Sequence, residues 1–376
     1  MRCLLALLTL LPLFTGGCSL DIDSDSLVRE LRVLAIRAGD PEPGSESDVQ
    51  ATISLSGGGD LVFTRDHIDL AALVAAPTGP GRRIAAPRPL RYDWYLCIGL
   101  ASLTVPGTLD PACNKFLPSD PPPEMNPALL LLGSGERLRL PTAVLKEAVG
   151  RLLQVQLAMA RGSGAGMDMG TGTGMDMGTG MEELPKAMVL PLPVLVRASA
   201  VSGDPKDSRD SEAAFTFLRV IVALPGMSLP PPNHNPVFRS MVAGPTSRDT
   251  EGAAPMQALM PCSAQAMLDG SCSRYLLGRD ETVFLVGSAQ DGSLERYTPL
   301  DASGRGEISE RMRYSWFVTD GEFKEERTGD AQPENQWKSE GKRPAPPEVQ
   351  VVQVFFVLQD ERGGADWSAF ELALKP

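Results

Sequence analysis

Histidine is nearly missing from this chain: His67 and His234 are the two in 376 residues. General acid–base catalysis draws on histidine more than on any other side chain, and neither residue stands beside a nucleophile motif. His67, in TRDHIDL, lies among charges at the start of an apolar stretch, as a surface or loop residue would; His234, in PPPNHNP, lies in a proline-rich run. There is no Gly-x-Ser-x-Gly elbow, no paired-histidine zinc motif and no phosphate-cradling glycine loop followed by lysine. GSGAG and SGGGD are isolated glycine turns. Carboxylates are plentiful, but a glycosidase needs two that face each other, and sequence does not display facing. The expectation is a non-enzymatic protein with no cofactor.

Positive charge is also scarce, with 35 Lys and Arg against 47 Asp and Glu, a net charge of −12. Such a surface repels phosphate backbones and anionic head groups, which excludes nucleic acid as a partner. Long apolar runs are missing as well. The longest lies at the N-terminus and falls short of the roughly 20 residues that a spanning helix needs.

That N-terminal run gives an address. MRCLLALLTLLPLFTGGCSLDIDSDS has one cation, Arg2, an apolar core from Leu4 to Phe14, and small residues Thr15, Gly16 and Gly17 leading into Cys18. This reads as a secretion signal at 1–17. The small-small-Cys ending resembles a bacterial lipoprotein cleavage site, with Thr15 where that family usually has Leu. The resemblance implies lipidation of Cys18, which becomes the first residue and holds the protein to a membrane through several acyl chains. Ser19 follows, where an Asp would argue for inner-membrane retention, so the outer membrane is the expected address, on its periplasmic or surface face. Cleavage removes Arg2 and no acid, which moves the charge from −12 to −13. DIDSDS at 21–26 has Ser26 and Arg32 where a calcium loop requires Gly and Glu, so residues 18–29 read as an acidic tether.

Removing Cys3 and committing Cys18 to lipid leaves Cys97, Cys113, Cys262 and Cys272. Outside the cytoplasm an even count reads as disulfides, and four cysteines allow three connectivities that sequence does not distinguish. The nearest pairs, Cys97 with Cys113 and Cys262 with Cys272, would each close a local ring. No zinc spacing or neighbouring histidine supports a thiol metal site. Loops following Cys97 and Cys262 are candidate binding surfaces, because a pinned loop loses less entropy on binding.

Beyond the signal, short apolar runs alternate with turn residues among 37 Gly and 33 Pro, an all-β texture. In DVQATISLS, Val49, Ala51, Ile53 and Leu55 share one face while the intervening polar residues share the other. An internal echo organises the whole: LRYDWYLC at 90–97 and MRYSWFVT at 312–319 both read Arg, Tyr, any residue, Trp, aromatic. Each half ends in a β-branched and aromatic run, AFTFLRVIVAL at 214–224 and VQVVQVFFVLQ at 349–359, and SLPPPNHNP lies between them as a stiff linker. Trp94 and Trp316 are the expected core pins, with Asp93 and Ser315 facing water. DERGGADW then supplies a Gly363-Gly364 hairpin and WSAFELAL a returning strand; Asp360 and Asp366 flank the turn, as turn caps rather than calcium ligands.

A central-strand Trp, an Asp-x-x-Gly-Gly hairpin near the end and a final alternating strand resemble the immunoglobulin-like and PKD-type repeats of bacterial surface lipoproteins. The resemblance covers 312–374, and 30–224 more loosely. It implies two tandem β-sandwich domains, at 30–226 and 236–376, joined by a linker at 227–235. The first carries long loops at 118–127 and 161–186, and LPTAVLKEAV at 140–149 reads as a short helix with Pro141 in its first turn. What the resemblance implies is a fold and a surface setting, with an envelope protein or polysaccharide as the partner.

The unit Gly-Met-Asp-Met-Gly-Thr-Gly occurs twice within 166–181. LQVQLAMA before it and AMVLPLPVLVRASA after it both read as strands, which makes the repeat a solvent loop whose glycines resist ordering. The alternative function is soft-metal handling, with Met167, Met169, Met175 and Met177 as thioether ligands for Cu(I) and Asp168 and Asp176 offsetting its charge. An accessory domain of an envelope hydrolase is the further alternative.

Overall fold

The computed structural model describes residues 26–40, 42, 44–54, 60–77, 89–99, 109–114, 125–163, 187–201, 210–252, 254–278, 280–299, 306–339 and 349–375. Cys18 and the signal, and the methionine repeat with Met167, Met169, Met175 and Met177, lie outside the described residues. So does most of the 118–127 loop.

The described chain is mainly β, and its strands fall into sheets on either side of residue 230. The N-terminal half contains β1 (Arg32–Ala38), β2 (Val49–Ser54), β3 (Asp60–Phe63), β4 (His67–Ala75), β5 (Leu90–Cys97), β6 (Leu129–Ser134), β7 (Arg137–Pro141), β8 (Ala187–Ala200) and β9 (Ser211–Ala223). Six of these form one sheet in the order β3-β2-β9-β8-β5-β6, and β1-β4-β7 form a second. Their inner faces share one apolar cluster containing Ile68, Leu70, Trp94, Leu140, Leu192 and Val220. β8 carries Pro191 and Pro193 beyond Leu96↔Val194, the last pair it makes with β5, so the missing N–H groups interrupt no ladder on that side.

One helix, α1 (Thr142–Ser163), closes this half. Leu145, Ala148, Val149, Leu152 and Leu153 are buried in the same cluster, the spacing of a single helix face. Pro141 stands just ahead of the helix, as the last residue of β7, rather than in its first turn. The expected strand over Val155, Leu157 and Met159 is instead the continuation of α1. Gly150 stands between the two segments, but one glycine costs a helix only about 1 kcal/mol, and propagating a helix already nucleated costs less than starting a strand. The methionine repeat therefore follows a helix and precedes β8, rather than crossing between two strands.

The C-terminal half contains β10 (Phe238–Gly244), β11 (Gln257–Leu259), α2 (Ala264–Asp269), β12 (Arg274–Leu277), β13 (Thr282–Ala289), β14 (Arg296–Tyr297), β15 (Ile308–Ser309), β16 (Met312–Val318), β17 (Glu322–Phe323), β18 (Arg327–Gly329), β19 (Glu334–Lys338), β20 (Gln350–Asp360) and β21 (Ala365–Leu374). Two sheets, β11-β10-β13-β19-β17 and β12-β21-β20-β16-β18, enclose a second cluster around Trp316, Trp337, Phe356 and Phe370. The echoed strands β5 and β16 hold equivalent places, each paired on both sides.

Trp94 and Trp316 are fully buried, and each indole N–H has an acceptor: Gly135 O at 2.7 Å and Thr328 Oγ1 at 2.9 Å. Asp93 and Ser315 depart from expectation, because both are buried. The faces they occupy are covered: Arg91 pairs with Asp93 at 2.9 Å. Phe317 and Phe355, in β16 and its partner β20, pack against Val28, Leu34 and Ala75 of the N-terminal half. The hairpin between β20 and β21 forms as read, with Gly363 at φ 94°. Gly364 needs its bare Cα for another reason, since a Cβ there would collide with Asp360 Oδ2.

Candidate functional site

The segment expected to act as a linker is instead the middle of a polar seam. Residues 45–47 and 233–235 run antiparallel, with Ser47 N donating to Asn233 O and Asn235 N to Ser45 O, both at 2.8 Å. Asn233 and Asn235 are buried, His234 between them less so. Alternation along an extended segment sends both amides the same way, into the junction. The tether also ends sooner than its composition indicates: Ser26 and Val28 are buried, and Val318 N donates to Ser26 O while Val28 N donates to Val318 O.

Each asparagine ties the two halves together. Asn233 Nδ2 donates to Ser47 Oγ at 2.8 Å and to Asp360 Oδ2 at 3.0 Å, and its backbone N donates to Asp48 Oδ2 at 3.2 Å. Asn235 Nδ2 donates to Ala38 O at 2.8 Å, while its Oδ1 accepts from Ala365 N at 2.9 Å. Asp360 caps its own turn as expected, accepting from Arg362 N and Gly364 N at 2.8 Å through Oδ1. Asp366, expected as the other cap, is engaged elsewhere: Oδ1 pairs with Arg37 Nη1 and Oδ2 accepts from Phe238 N, each at 2.8 Å.

Charge surrounds these amides. Arg219 Nη1 lies 3.6 Å from Asp48 Oδ1 and donates to Arg362 O at 3.1 Å. Arg362 in turn pairs with Glu310 and Glu295 and lies over the Tyr297 ring, 4.5 Å from its centroid. His234 Nδ1 sits 2.5 Å from Glu295 Oε1. Burial pushes the carboxyls of Asp48 and Glu310 above their ordinary range, only partly opposed by Arg219 and Arg362 respectively. Burial works against the Arg362 charge too, yet Glu310 beside it raises that guanidinium above its usual value. A groove of about 530 Å³ flanks the seam, with Ile36 and Thr216 from one half facing Arg313, Asp330, Gln359 and Glu361 from the other. Its walls are polar and charged in both signs, suited to holding a polar ligand by hydrogen bonds.

A second cluster adjoins the seam, since Asp40 O accepts from the hydroxyl of Ser45, whose own carbonyl accepts from Asn235 N. Asp40 and Asp69 share a hydrogen bond, which raises the Asp40 carboxyl. Burial opposes the Asp69 charge, but the bonds from Asp40 and Arg139 hold it below its ordinary value. Arg139 Nε lies 3.2 Å and His67 Nε2 3.5 Å from Asp69. His67 is half exposed at the start of β4, in keeping with a surface position. These carboxylates do face each other, 29 residues apart in sequence, beside an open hollow of about 330 Å³ that Asp66 also lines.

The cysteines pair locally, Cys97 with Cys113 and Cys262 with Cys272, with Cα atoms 5.8 and 5.5 Å apart. Sequence reasoning missed Asn233, Asn235, Arg37, Arg219 and Arg362. Two polar residues alternating within a proline-rich run were the one available signal.

No family model matches the chain, and no curated protein matches it. Among solved structures it is similar to the zebrafish RET cadherin-like domains 1 to 4, at 12% identity over 50% of this chain and 34% of that one, with a TM-score of 0.14. The chain thus spans about a third of that structure's length, and a likeness this slight carries no argument about fold or function.

Proposed function

We propose that this protein is a non-enzymatic, lipid-anchored envelope protein whose two tandem immunoglobulin-like or PKD-like sandwich domains form one stiff module presenting loops to a protein or polysaccharide partner. The observation that carries this reading is the seam. A flexible pair of beads has no use for buried asparagines and charged pairs between them, since taking such groups out of water costs free energy unless every partner is held. Fixing the relative orientation of two loop-bearing units is what such a seam accomplishes, and a fixed orientation lowers the entropy lost on binding an extended partner. The groove across the seam offers polar contacts from both halves, which suits hydroxyl-rich or peptide chains.

The anchor rests on the Arg2 to Cys18 pattern, and the outer-membrane address on Ser19. Metabolic labelling with a fatty-acid analogue tests both: wild type takes label and stays with the outer-membrane fraction, whereas Cys18→Ala loses label and leaves it. Crosslinking in intact cells, followed by identification of attached material, tests the partner. Recovery of a specific envelope protein or glycan supports the reading, and recovery of lipid and self alone replaces it with a structural or self-associating role.

A further inference from the structure

Glu371 is fully buried in β21, and its two oxygens are treated differently. Oε2 accepts from Arg274 Nε at 2.7 Å, while Oε1 has no hydrogen-bond partner among the described residues. An orphaned buried carboxylate oxygen is costly, and the Cys262–Cys272 pair lies directly beside it. The two sulfurs and a carboxylate oxygen of Glu371 all lie within 4.8 Å of one another.

We propose that this is a redox-gated zinc site: with the disulfide closed it holds no metal, and with the disulfide reduced Cys262, Cys272 and Glu371 bind one Zn²⁺ with an open fourth position. A dithiol reductant opens it. The Sγ–Sγ bond breaks, the reductant's two electrons and two protons pass to the sulfurs of Cys262 and Cys272, and the reductant closes its own disulfide. Zn²⁺ then displaces both thiol protons to solvent and takes two thiolates and the Glu371 oxygen as ligands, leaving room for water in the fourth place. Two sulfurs and one oxygen form a donor set that zinc accepts in tetrahedral geometry. Zinc–sulfur bonds of about 2.3 Å hold two thiolates nearly 4 Å apart, so small side-chain rotations from the present positions suffice.

The surroundings keep the cysteines in place once the disulfide opens. Cys262 N donates to Ala369 O at 2.7 Å, fixing the first cysteine against β21. Between the cysteines, α2 is capped at both ends, by Ser263 Oγ accepting from Ala266 N and by Gly270 at φ 71°. Arg274, just after the second cysteine, bonds both Glu371 and Gly270 O. The ring therefore has reasons to hold its shape that do not depend on the sulfur–sulfur bond, and Arg274 aims the carboxylate.

The test uses the full chain, reduced with dithiothreitol and desalted without oxygen, then titrated with zinc against a chromophoric chelator. One equivalent bound to the reduced chain and none to the oxidised chain is the expected result. Cobalt substitution should give a tetrahedral spectrum with thiolate charge-transfer bands, a readout that needs no variant. Glu371→Gln, confirmed folded by circular dichroism, should bind about tenfold or more weakly, and a Cys97→Ala/Cys113→Ala chain should bind like wild type. An octahedral cobalt spectrum, an absence of stoichiometric binding after reduction, or equal affinity in folded Glu371→Gln would each overturn the proposal.

Discussion

Arg37 Nη1 meets Asp366 Oδ1 at 2.8 Å across 329 residues of sequence, joining β1 of one half to β21 of the other. The same guanidinium lies over the Trp367 ring, 4.6 Å from its centroid. Burial pulls the arginine below its ordinary pKa and Asp366 opposes that pull, so the buried cation has its counter-charge beside it. Replacing Arg37 with Ala should cost about 3 kcal/mol, much of it from leaving Asp366 without its cation. A double-mutant cycle with Asp366→Asn, read by urea denaturation, should return a coupling of about 1–3 kcal/mol. Coupling indistinguishable from zero would mean that this pair does not help to hold the halves together.

The asparagines test the seam from its centre. Asn233→Ala strands the buried groups that it now satisfies and should cost about 1–3 kcal/mol. Asn233→Asp should be worse, because it replaces a donor with a charge against Asp360 and near Asp48. Denaturation midpoints give the order of the two variants. Hydrogen exchange at Ser47, which donates to Asn233 O, should quicken in both, and unchanged exchange there would place the instability elsewhere.

Acid should stabilise this protein over part of its range, against the usual direction. Burial raises the carboxyls of Asp48, Glu310 and Glu212 in the folded state. A raised folded pKa means that the native protein takes up its proton first as pH falls, so each such group adds stability between its folded value and the unfolded value near 4, and no more below that. The gain is about 1.4 kcal/mol for each pH unit in which the folded state holds one extra proton. Urea midpoints at pH 7 and pH 5 should therefore show a gain on acidification, reduced in Asp48→Asn. The depressed Asp69 works in the opposite sense, but only below the unfolded value near 4, outside this window. A midpoint that falls from pH 7 to pH 5 in wild type would refute the assignment.

Much of the fold was legible because alternation and turn residues are local. Trp94 and Trp316 declared themselves by the echo around them, and Gly363 by its place between two alternating runs. α1 was half legible. Val155, Leu157 and Met159 alternate like a strand, and only the stripe from Leu145 to Leu153, continuing past Gly150, shows that the helix has already begun. The seam was almost illegible, since Arg37 and Asp366, or Asn233 and Asp360, become neighbours only through the packing of separately folded sheets. Trp337, fully buried with its N–H on Asp320 O at 3.0 Å, was hidden for a similar reason. Its segment, PENQWKSE, is polar on both sides, and burial comes from β13 and β17 alongside rather than from its own pattern.

Gly287 offers a sharp test of how tightly the C-terminal core is packed. It sits in β13 at an ordinary strand conformation, so it is not kept for backbone freedom. A Cβ there would fall 2.6 Å from Phe356 Cε2 and 2.7 Å from Cε1. Phe356 has little room to yield, because its centroid lies 4.6 Å from that of Trp316, 5.3 Å from Tyr314 and 6.0 Å from Phe238. Gly287→Ala should therefore cost about 1–3 kcal/mol through overpacking. Adding Phe356→Leu should recover part of that loss, because the smaller side chain vacates the space the new methyl needs, and the double variant should be less destabilised than the sum of the two singles. Gly292→Ala is the contrast: nothing among the described residues lies within 4 Å of its Cβ, but φ is +88°, so its cost of about 1–2 kcal/mol is conformational, and Phe356→Leu should leave it unchanged. Equal rescue of both glycine variants by Phe356→Leu would show that the core yields generally and that Gly287 is not held by that ring.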